Sequence, residues 1–257
     1  MFIHRVKRHC DQWKSLVVKV CRRLRCLFLQ PIPVYCLHQV SDVYNPETCY
    51  ECDWFALKDF KKTIQRLKAI YSFIPLSEAY RKLKHEKVRF RKYAVLTFDD
   101  GYKSSMDALI WLESQEVYYT LFLNAKYLDG ESVSEHIYTR AQFINPQANI
   151  NNLVSGLYLT KNDVSSLSQR WCNIGSHGLE HNDATTIGVV EFENQLKSCK
   201  SFLSRYSTYI PFHAYTWGHH SPEIDNVVMS LGMIPVLMDG QKNYRFDAAI
   251  HRELFPQ

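Results

Sequence analysis

Tyr93-Ala-Val-Leu-Thr-Phe-Asp99-Asp100-Gly101-Tyr102 decides how the rest of this chain is read. A short apolar, partly β-branched run ends in two adjacent carboxylates and a glycine. That is the pattern of a buried strand of an α/β sheet opening into a loop. Successive strand side chains alternate faces, so Asp99 and Asp100 point in different directions. One can bind something from below while the other works beside it. Gly101 lets the chain turn sharply away from the pair. Neighbouring acids repel, and a nearby cation would resolve that cost. Taken alone, Asp-Asp-Gly also reads as a turn whose solvated acids cap the following helix.

A second cluster lies downstream in Asn173-Ile-Gly-Ser176-His177-Gly178-Leu-Glu180-His181. Again a short strand runs into polar residues. His-x-x-x-His sets both rings on one face of a helical turn, a geometry that grips a single metal ion. Zinc suits two imidazoles and one carboxylate, with a fourth position left for water. A lone histidine pair is weak evidence; paired with an Asp-Asp strand end it predicts convergence on one ion.

These two motifs resemble those of the polysaccharide deacetylase superfamily, whose unit is the NodB-homology domain, and the likeness extends over roughly residues 32 to 252. The resemblance implies that Asp99 is the catalytic base and that Asp100, His177 and His181 bind a divalent metal: zinc first, with cobalt and nickel open. It implies a distorted (β/α) barrel of about seven parallel strands with the site at the C-terminal strand ends. Gly178 departs from the usual Ser or Thr and loses a hydroxyl that braces the loop. The stretch Pro211–His220 resembles the third motif, with His213 for Phe, Thr216 for Pro and Trp217 for Tyr. Tyr215, Trp217 and Gly218 then belong to the loop that walls the groove, and Trp217 takes the role of backbone donor to the oxyanion. His38-Gln-Val resembles a first-strand motif whose histidine faces the site, and Tyr102 joins this substrate-side group. Ala249-Ile250-His251 lies where many members carry a histidine as general acid and others only an arginine.

The implied activity is metal-dependent removal of N-acetyl or O-acetyl groups from a polysaccharide or glycan, in the making or modification of surface polysaccharide. The alternative is a catalytically impaired, sugar-binding relative in a membrane-associated assembly complex.

The rest of the chain agrees with an α/β design. At 257 residues and 46% hydrophobic, with nine glycines and nine prolines, it has material for one large core. Strand–helix units recur at ~20–40-residue spacing, which favours a parallel sheet. Helices are expected over Trp54–Ile70, from Ser77 to about Lys84, over Met106–Gln115, from Thr160, over Val190–Arg205 and from Ser221. Thr160 with Asp163 reads as a capping box, and Ser221-Pro222 as a cap with Pro at the first helical position. Residues 125–159 show no clear period and read as a loop or insertion that shapes specificity.

The net charge of +5 is unevenly placed. Residues 1–30 hold eight Lys/Arg against Asp11, leaving 23 basic and 25 acidic residues in 31–257. The body therefore gives no argument for nucleic-acid binding. The arm has helical spacing of apolar residues (Val6, Trp13, Val17, Val20, Leu24, Leu27, Phe28) and reads as a basic amphipathic helix. Two readings stand: it lies peripherally on an anionic membrane, or it packs on the domain. Charges interrupt every window of the ~18 apolar residues a span needs. The eight cysteines do not resemble a disulfide scaffold, and with no export signal evident they point to a cytoplasmic, reducing setting, at most peripheral to the inner membrane face. Cys49-Tyr-Glu-Cys52 has metal-like spacing but no second pair.

Overall fold

The computed structural model describes residues 30–85, 91–130, 132–147, 149 and 156–256. The expected N-terminal helix and its membrane or packing role fall in residues 1–29, outside the described residues. The strands are β1 (Val34–Leu37), β2 (Gln39–Ser41), β3 (Trp54–Ala56), β4 (Ser72–Phe73), β5 (Tyr93–Phe98), β6 (Tyr119–Leu123), β7 (Cys172–Ser176), β8 (Tyr209–Ala214), β9 (Ile234–Leu237), β10 (Ile250–His251) and β11 (Glu253–Leu254). The helices are α1 (Leu57–Lys68), α2 (Leu76–His85), α3 (Met106–Ser114), α4 (Glu135–Ile144), α5 (Lys161–Ser166), α6 (Val189–Leu203) and α7 (Pro222–Ser230).

One parallel sheet runs in the order β10-β9-β8-β7-β6-β5-β1-β11, with β4 beside the start of β5. Its two ends are consecutive in sequence. β10 pairs with β9, β11 pairs with β1, and only Arg252 lies between them. The Arg252 N–H donates to Leu237 O at 2.8 Å, and its carbonyl accepts from Gly240 N at 2.9 Å. The final strand thus bridges both edges and closes the sheet into a distorted (β/α) barrel. With β10 and β11 counted as one interrupted strand, seven positions line the ring, the number the family resemblance implies.

Alternation along the strands divides the core in two. Val34, Val95, Phe122, Phe212, Val236 and Ile250 form one cluster with Ile32 and with Leu76, Ala79 and Leu83 of α2. Helix α2 follows β4, which sits beside the first residues of β5, and Leu83 O accepts from Phe246 N–H. It therefore plugs the end of the barrel where the strands begin. The opposite strand faces pack under the surrounding helices: Leu96 and Phe98 of β5 meet Phe60 and Ile64 of α1 and Leu109 and Leu112 of α3. All these side chains are nearly or wholly buried, and at about 1.5–3 kcal/mol for each large apolar residue the two clusters dominate folding.

Some element boundaries differ from the sequence expectation. Trp54–Ala56 pairs with β2 as a strand, and the helix starts only at Leu57. Ser77 lies inside α2 rather than capping it. Residues 125–159 contain helix α4 within their irregular course. The capping box is present: Asp163 N donates to Thr160 Oγ1 at 3.2 Å and Thr160 N to Asp163 Oδ2 at 2.8 Å. Ser221 caps α7 by accepting from Ile224 N at 3.4 Å.

Gly175 shows how tightly β7 fits the barrel. A Cβ there would lie 2.5 Å from the Phe122 ring and 3.2 Å from Phe212 O. Neither a buried ring nor a strand backbone yields easily, so overpacking should destabilise. Gly175→Ala is expected to lower unfolding free energy by ~1–3 kcal/mol, read as a lower urea midpoint with an unchanged slope.

Candidate metal and catalytic site

The site forms where β1, β5, β7 and β8 end. Strand β5 stops at Phe98, and the next two side chains separate. Asp99 continues the strand direction and turns toward Arg252. Asp100 adopts φ 67°, a left-handed conformation tolerated by Asp, and this swings its carboxylate toward the end of β7.

Asp100 Oδ1 lies 3.3 Å from His177 Nε2 and 3.2 Å from His181 Nε2. Both distances are short, yet Oδ1 has no hydrogen-bond partner although buried. The His177 ring is fixed from behind: Nδ1 is 2.8 Å from Ala214 O, so Nδ1 carries the proton and Nε2 presents its lone pair to Asp100. Three ligand atoms within 4.8 Å of one another, one an orphaned buried oxygen, fit a divalent cation better than mutual hydrogen bonding. One oxygen and two imidazole nitrogens suit zinc and its first-row neighbours equally.

The two imidazoles converge from an irregular loop; the helical turn expected from their spacing does not form. Gly178, between them, has φ 91°, where a Cβ would meet Glu180 O at 3.1 Å. The bracing hydroxyl comes from two residues earlier instead, since Ser176 Oγ accepts from Gly178 N at 3.1 Å. A glycine at 178 is thus required by the backbone path, and its lost hydroxyl is replaced.

Asp99 is gripped by Arg252 in a two-pronged ion pair, Nη1 to Oδ1 at 2.6 Å and Nη2 to Oδ2 at 2.8 Å. Arg252 is 1% exposed and also lies over the Phe122 ring, with its guanidinium carbon 5.3 Å from the centroid. Burial alone would raise the Asp99 carboxyl pKa; the charges of Arg252 and then His177 outweigh it and hold Asp99 below its usual range. Asp100 behaves alike: burial pushes it up, but His181 and the contacts with both imidazoles bring it well below. Burial lowers His177, and the Asp99 and Asp100 carboxylates more than restore it.

The pocket above these groups has a volume of about 490 Å³. Of the residues expected to face it, His38, Tyr102, Tyr215, Trp217 and Gly218 all line it. Tyr215 gives its hydroxyl proton to Asp225 Oδ1 at 2.6 Å, and Tyr102 stacks on Tyr158 at 5.4 Å between centroids. Trp217 adopts φ 61° and sets its ring edge-on to His181 at 4.9 Å.

His251, expected as general acid, lies outside the pocket lining. Its Nδ1 lies 2.8 Å from Asp239 Oδ2 and its Nε2 3.0 Å from Asp247 Oδ1, so both ring nitrogens are taken outside the pocket lining. The cause is strand alternation: with Arg252 turned inward, its neighbour must face away.

Two groups escaped the sequence reading. Arg252 had a usable signal, because a buried aspartate at a strand end needs a cation and the closing strand carries one. His136 of α4 had none. It lies in the segment without period, yet its ring is 4.5 Å from that of His181 and 4.9 Å from Trp217. Burial, and then the charge of His181, lower His136 to about 4. Deeper still, burial and then His177 pull His213 down to about 3, with its Nδ1 3.1 Å from Ser176 Oγ.

His213 makes acid stability testable. Its folded value lies below the ~6.5 of an unfolded chain, so between those values the unfolded state binds more protons and stability falls as pH falls. At pH 5 this amounts to roughly 2 kcal/mol. In chelator-treated protein, His213→Phe should shrink the stability difference between pH 7 and pH 5 by about that much, measured by urea unfolding at both. An unchanged difference would exclude a neutral buried imidazole.

A family profile described as "Polysaccharide deacetylase" matches residues 87–236, more than half of the chain. No curated protein matches. Among solved structures, the Streptococcus pyogenes deacetylase PplD superposes with a TM-score of 0.68 at 18% identity, covering 89% of this chain and 94% of that one. IcaB from Ammonifex degensii gives 0.63 at 15%, covering 90% and 94%. A de-N-acetylase from Aggregatibacter actinomycetemcomitans gives 0.65 at 14%, covering 88% and 95%. At these identities the superpositions speak for the barrel, while the matched profile spans both the Asp-Asp strand end and the histidine pair: the chain belongs to the polysaccharide deacetylase family.

Proposed function

We propose that the protein is a cation-dependent hydrolase that removes acetyl groups, N-acetyl foremost, from a glycan polymer. The observation that carries this is the orphaned Asp100 Oδ1, faced at 3.2–3.3 Å by two imidazole nitrogens with an ionised Asp99 next to it in sequence. Asp100, His177 and His181 would hold the divalent cation, whose chemistry when bound is to make water acidic near neutral pH and to polarise a carbonyl.

The chain's own groups do the rest. Asp99 stays ionised and is the proposed base. Arg252 occupies one lone pair on each oxygen and the Cys36 thiol donates to Oδ2 at 3.5 Å, so Oδ1 is the oxygen that keeps a second lone pair to take a proton from the attacking water. Trp217, on the wall formed by Tyr215–Gly218, is the proposed N–H donor to the carbonyl oxygen as negative charge develops there. With His251 sequestered, His38 is the proposed proton donor to the leaving amine. It lines the pocket beside Asp99, and Asp53 Oδ1, 3.7 Å from its Nδ1, steadies the ring. Water adds to the acetyl carbon, the C–N bond breaks, and acetate and a free amine leave.

A polymeric substrate follows from the shape. Through Tyr50, His136, His181 and Trp217 the pocket opens into a groove of about 960 Å³. Phe143 and Trp217, 84% and 46% exposed, offer ring faces on which sugars stack. The neighbours add support: one was solved in complex with acetate and another is described as a de-N-acetylase. A purely sugar-binding role would be favoured by a blocked pocket or a lost base, and this chain has an open pocket and keeps Asp99.

Asp99→Asn should retain zinc, measured by metal analysis after dialysis, while acetate release from N-acetylated oligosaccharides falls ~10²–10⁴-fold. Near-normal turnover in that variant would rule Asp99 out as base. For the acid, His38→Gln should lower kcat by ~10²-fold with little change in KM, whereas His251→Gln should stay within a fewfold of the parent. The reverse ranking would return the role to His251.

A further inference from the structure

The barrel is electrically polarised along its axis. Because the sheet is parallel, every strand begins at one end, and the residues just before the strands share that end. Lys68 closes α1 ahead of β4, Arg91 and Lys92 precede β5, Arg170 precedes β7 and Arg205 precedes β8. Lys242 and Arg245 belong there too, since Asn243 bridges Ile32 at the start of β1. Lys84 lies on α2, which plugs this end. All of these are exposed, and the ion pairs among the described residues join none of them to a carboxylate. Among the described residues the acids at the same end are Glu78, paired with Lys82 on α2, Glu113 and Glu116 ahead of β6, and Asp247 ahead of β10.

The opposite end carries the reverse sign. Asp53, Asp99, Asp100, Glu180, Asp183 and Asp239 surround or flank the pocket; of the bases there, Arg140 donates to the Pro46 and Cys49 carbonyls and three are paired with carboxylates. Lys103 pairs with Asp163, Lys126 with Glu180 and Arg252 with Asp99.

The basic end is one connected surface. Lys82 Nζ of α2 lies 4.8 Å from the Tyr93 ring centroid, next to Arg91 and Lys92. On the other side, the Phe246 N–H bonded to Leu83 O places Arg245 against the same helix. Exposed apolar groups sit among the charges: Ile70 at 51% and Tyr244 at 43%. Basic side chains interspersed with an aromatic and an aliphatic residue suit the headgroup zone of an anionic bilayer, where charge attracts and apolar tips insert. The chain itself points the same way. Residues 1–29, with eight Lys/Arg against Asp11, join the fold at Gln30, directly before β1 and hence at this basic end.

We propose that the strand-start end of the barrel is a docking surface for an anionic phospholipid membrane, which seats the protein with its catalytic pocket facing away from the bilayer. The bilayer's field attracts one end and repels the other, so polarity fixes orientation as well as binding. This does not depend on the hydrolase reading: a failed vesicle experiment leaves acetate release untouched, and a failed acetate assay leaves docking untouched.

The test uses the full-length chain. Sedimentation with vesicles of phosphatidylglycerol and phosphatidylcholine should show binding that weakens steeply with salt, while pure phosphatidylcholine vesicles bind little. The triple variant Arg91→Gln, Lys92→Gln, Arg245→Gln should bind anionic vesicles about a hundredfold more weakly, at unchanged acetate release from a soluble oligosaccharide. A polarity-sensitive fluorophore on Tyr244→Cys should shift blue with vesicles, and one on Val43→Cys, beyond β2 at the pocket end, should not. Equal vesicle affinity of parent and triple variant, binding to neutral vesicles alone, retention only on a nucleic-acid column, or a blue shift at Val43→Cys would each overturn the proposal.

Discussion

The buried ion pair between Arg252 and Asp99 ties the architecture to the chemistry. Arg252 occupies the one position between β10 and β11, so the guanidinium sits where the last strand changes partners from β9 to β1. Its target is the first residue past β5, two places in from the β11 edge of the sheet order. A salt bridge this deep seldom adds much net stability, because desolvating two charges is expensive. Losing one partner is a different matter, since the other would be stranded without water. The pair therefore works as a lock: a barrel that closes in a wrong register leaves a bare charge inside. That is a reason for a fold of short, separately formed strands to hold a cation at its seam.

The same lock sets the character of the site. Two adjacent buried carboxylates would ordinarily protonate to relieve their repulsion. Here each has its own partner, the Arg252 guanidinium for Asp99 and, for Asp100, the imidazole pair together with the cation they would hold. The division follows from backbone geometry: Asp99 keeps the strand direction, and Asp100 leaves it at φ 67°. A permanent cation suits the residue proposed to accept a proton, because it stays anionic without being consumed as a ligand. The price is basicity, for a carboxylate held by guanidinium is a weak base, and it can deprotonate only a water that is already acidic. On the proposed reading, base and cation are for that reason one device.

Much of this was legible in the chain, and the illegible part has physical causes. Tyr93–Phe98 reads as a buried strand because parallel strands covered on both faces need unbroken apolar runs. The Asp and His clusters read as a site because such groups are costly at strand ends without a shared purpose. Thr160 and Ser221 marked helix starts because capping is a local hydrogen-bond problem. Long-range matters were not written locally. Whether His251 or its neighbour faces inward depends on the register of a two-residue strand, and a shift of one residue exchanges them. His136 stands near His181 only because α4 folds over the pocket, and nothing in Glu135-His-Ile-Tyr announces that destination. The misread Trp54–Ala56 carried helical spacing, yet pairing with β2 outweighed it.

The α4 segment also explains how a family barrel acquires a groove of its own. Arg140 reaches across to the loop after β2, donating to Pro46 O at 2.8 Å and Cys49 O at 3.1 Å while stacking 3.9 Å over Tyr50. Asn145 adds a bond to Glu47 at 3.1 Å. Each bond alone is worth about 1 kcal/mol, but together they join two loops that enter from different strands. The joint stands at the mouth where pocket and groove meet, with Tyr50 and His136 lining both. On the proposed reading, a glycan must pass this fixed aromatic and basic rim to bring an acetyl group to Asp99, so the strand ends would select the bond to be cut and the rim the sugars around it. Specificity can drift by changes in α4 and the Pro46–Cys49 loop while the Arg252 lock and the three candidate ligands stay unchanged.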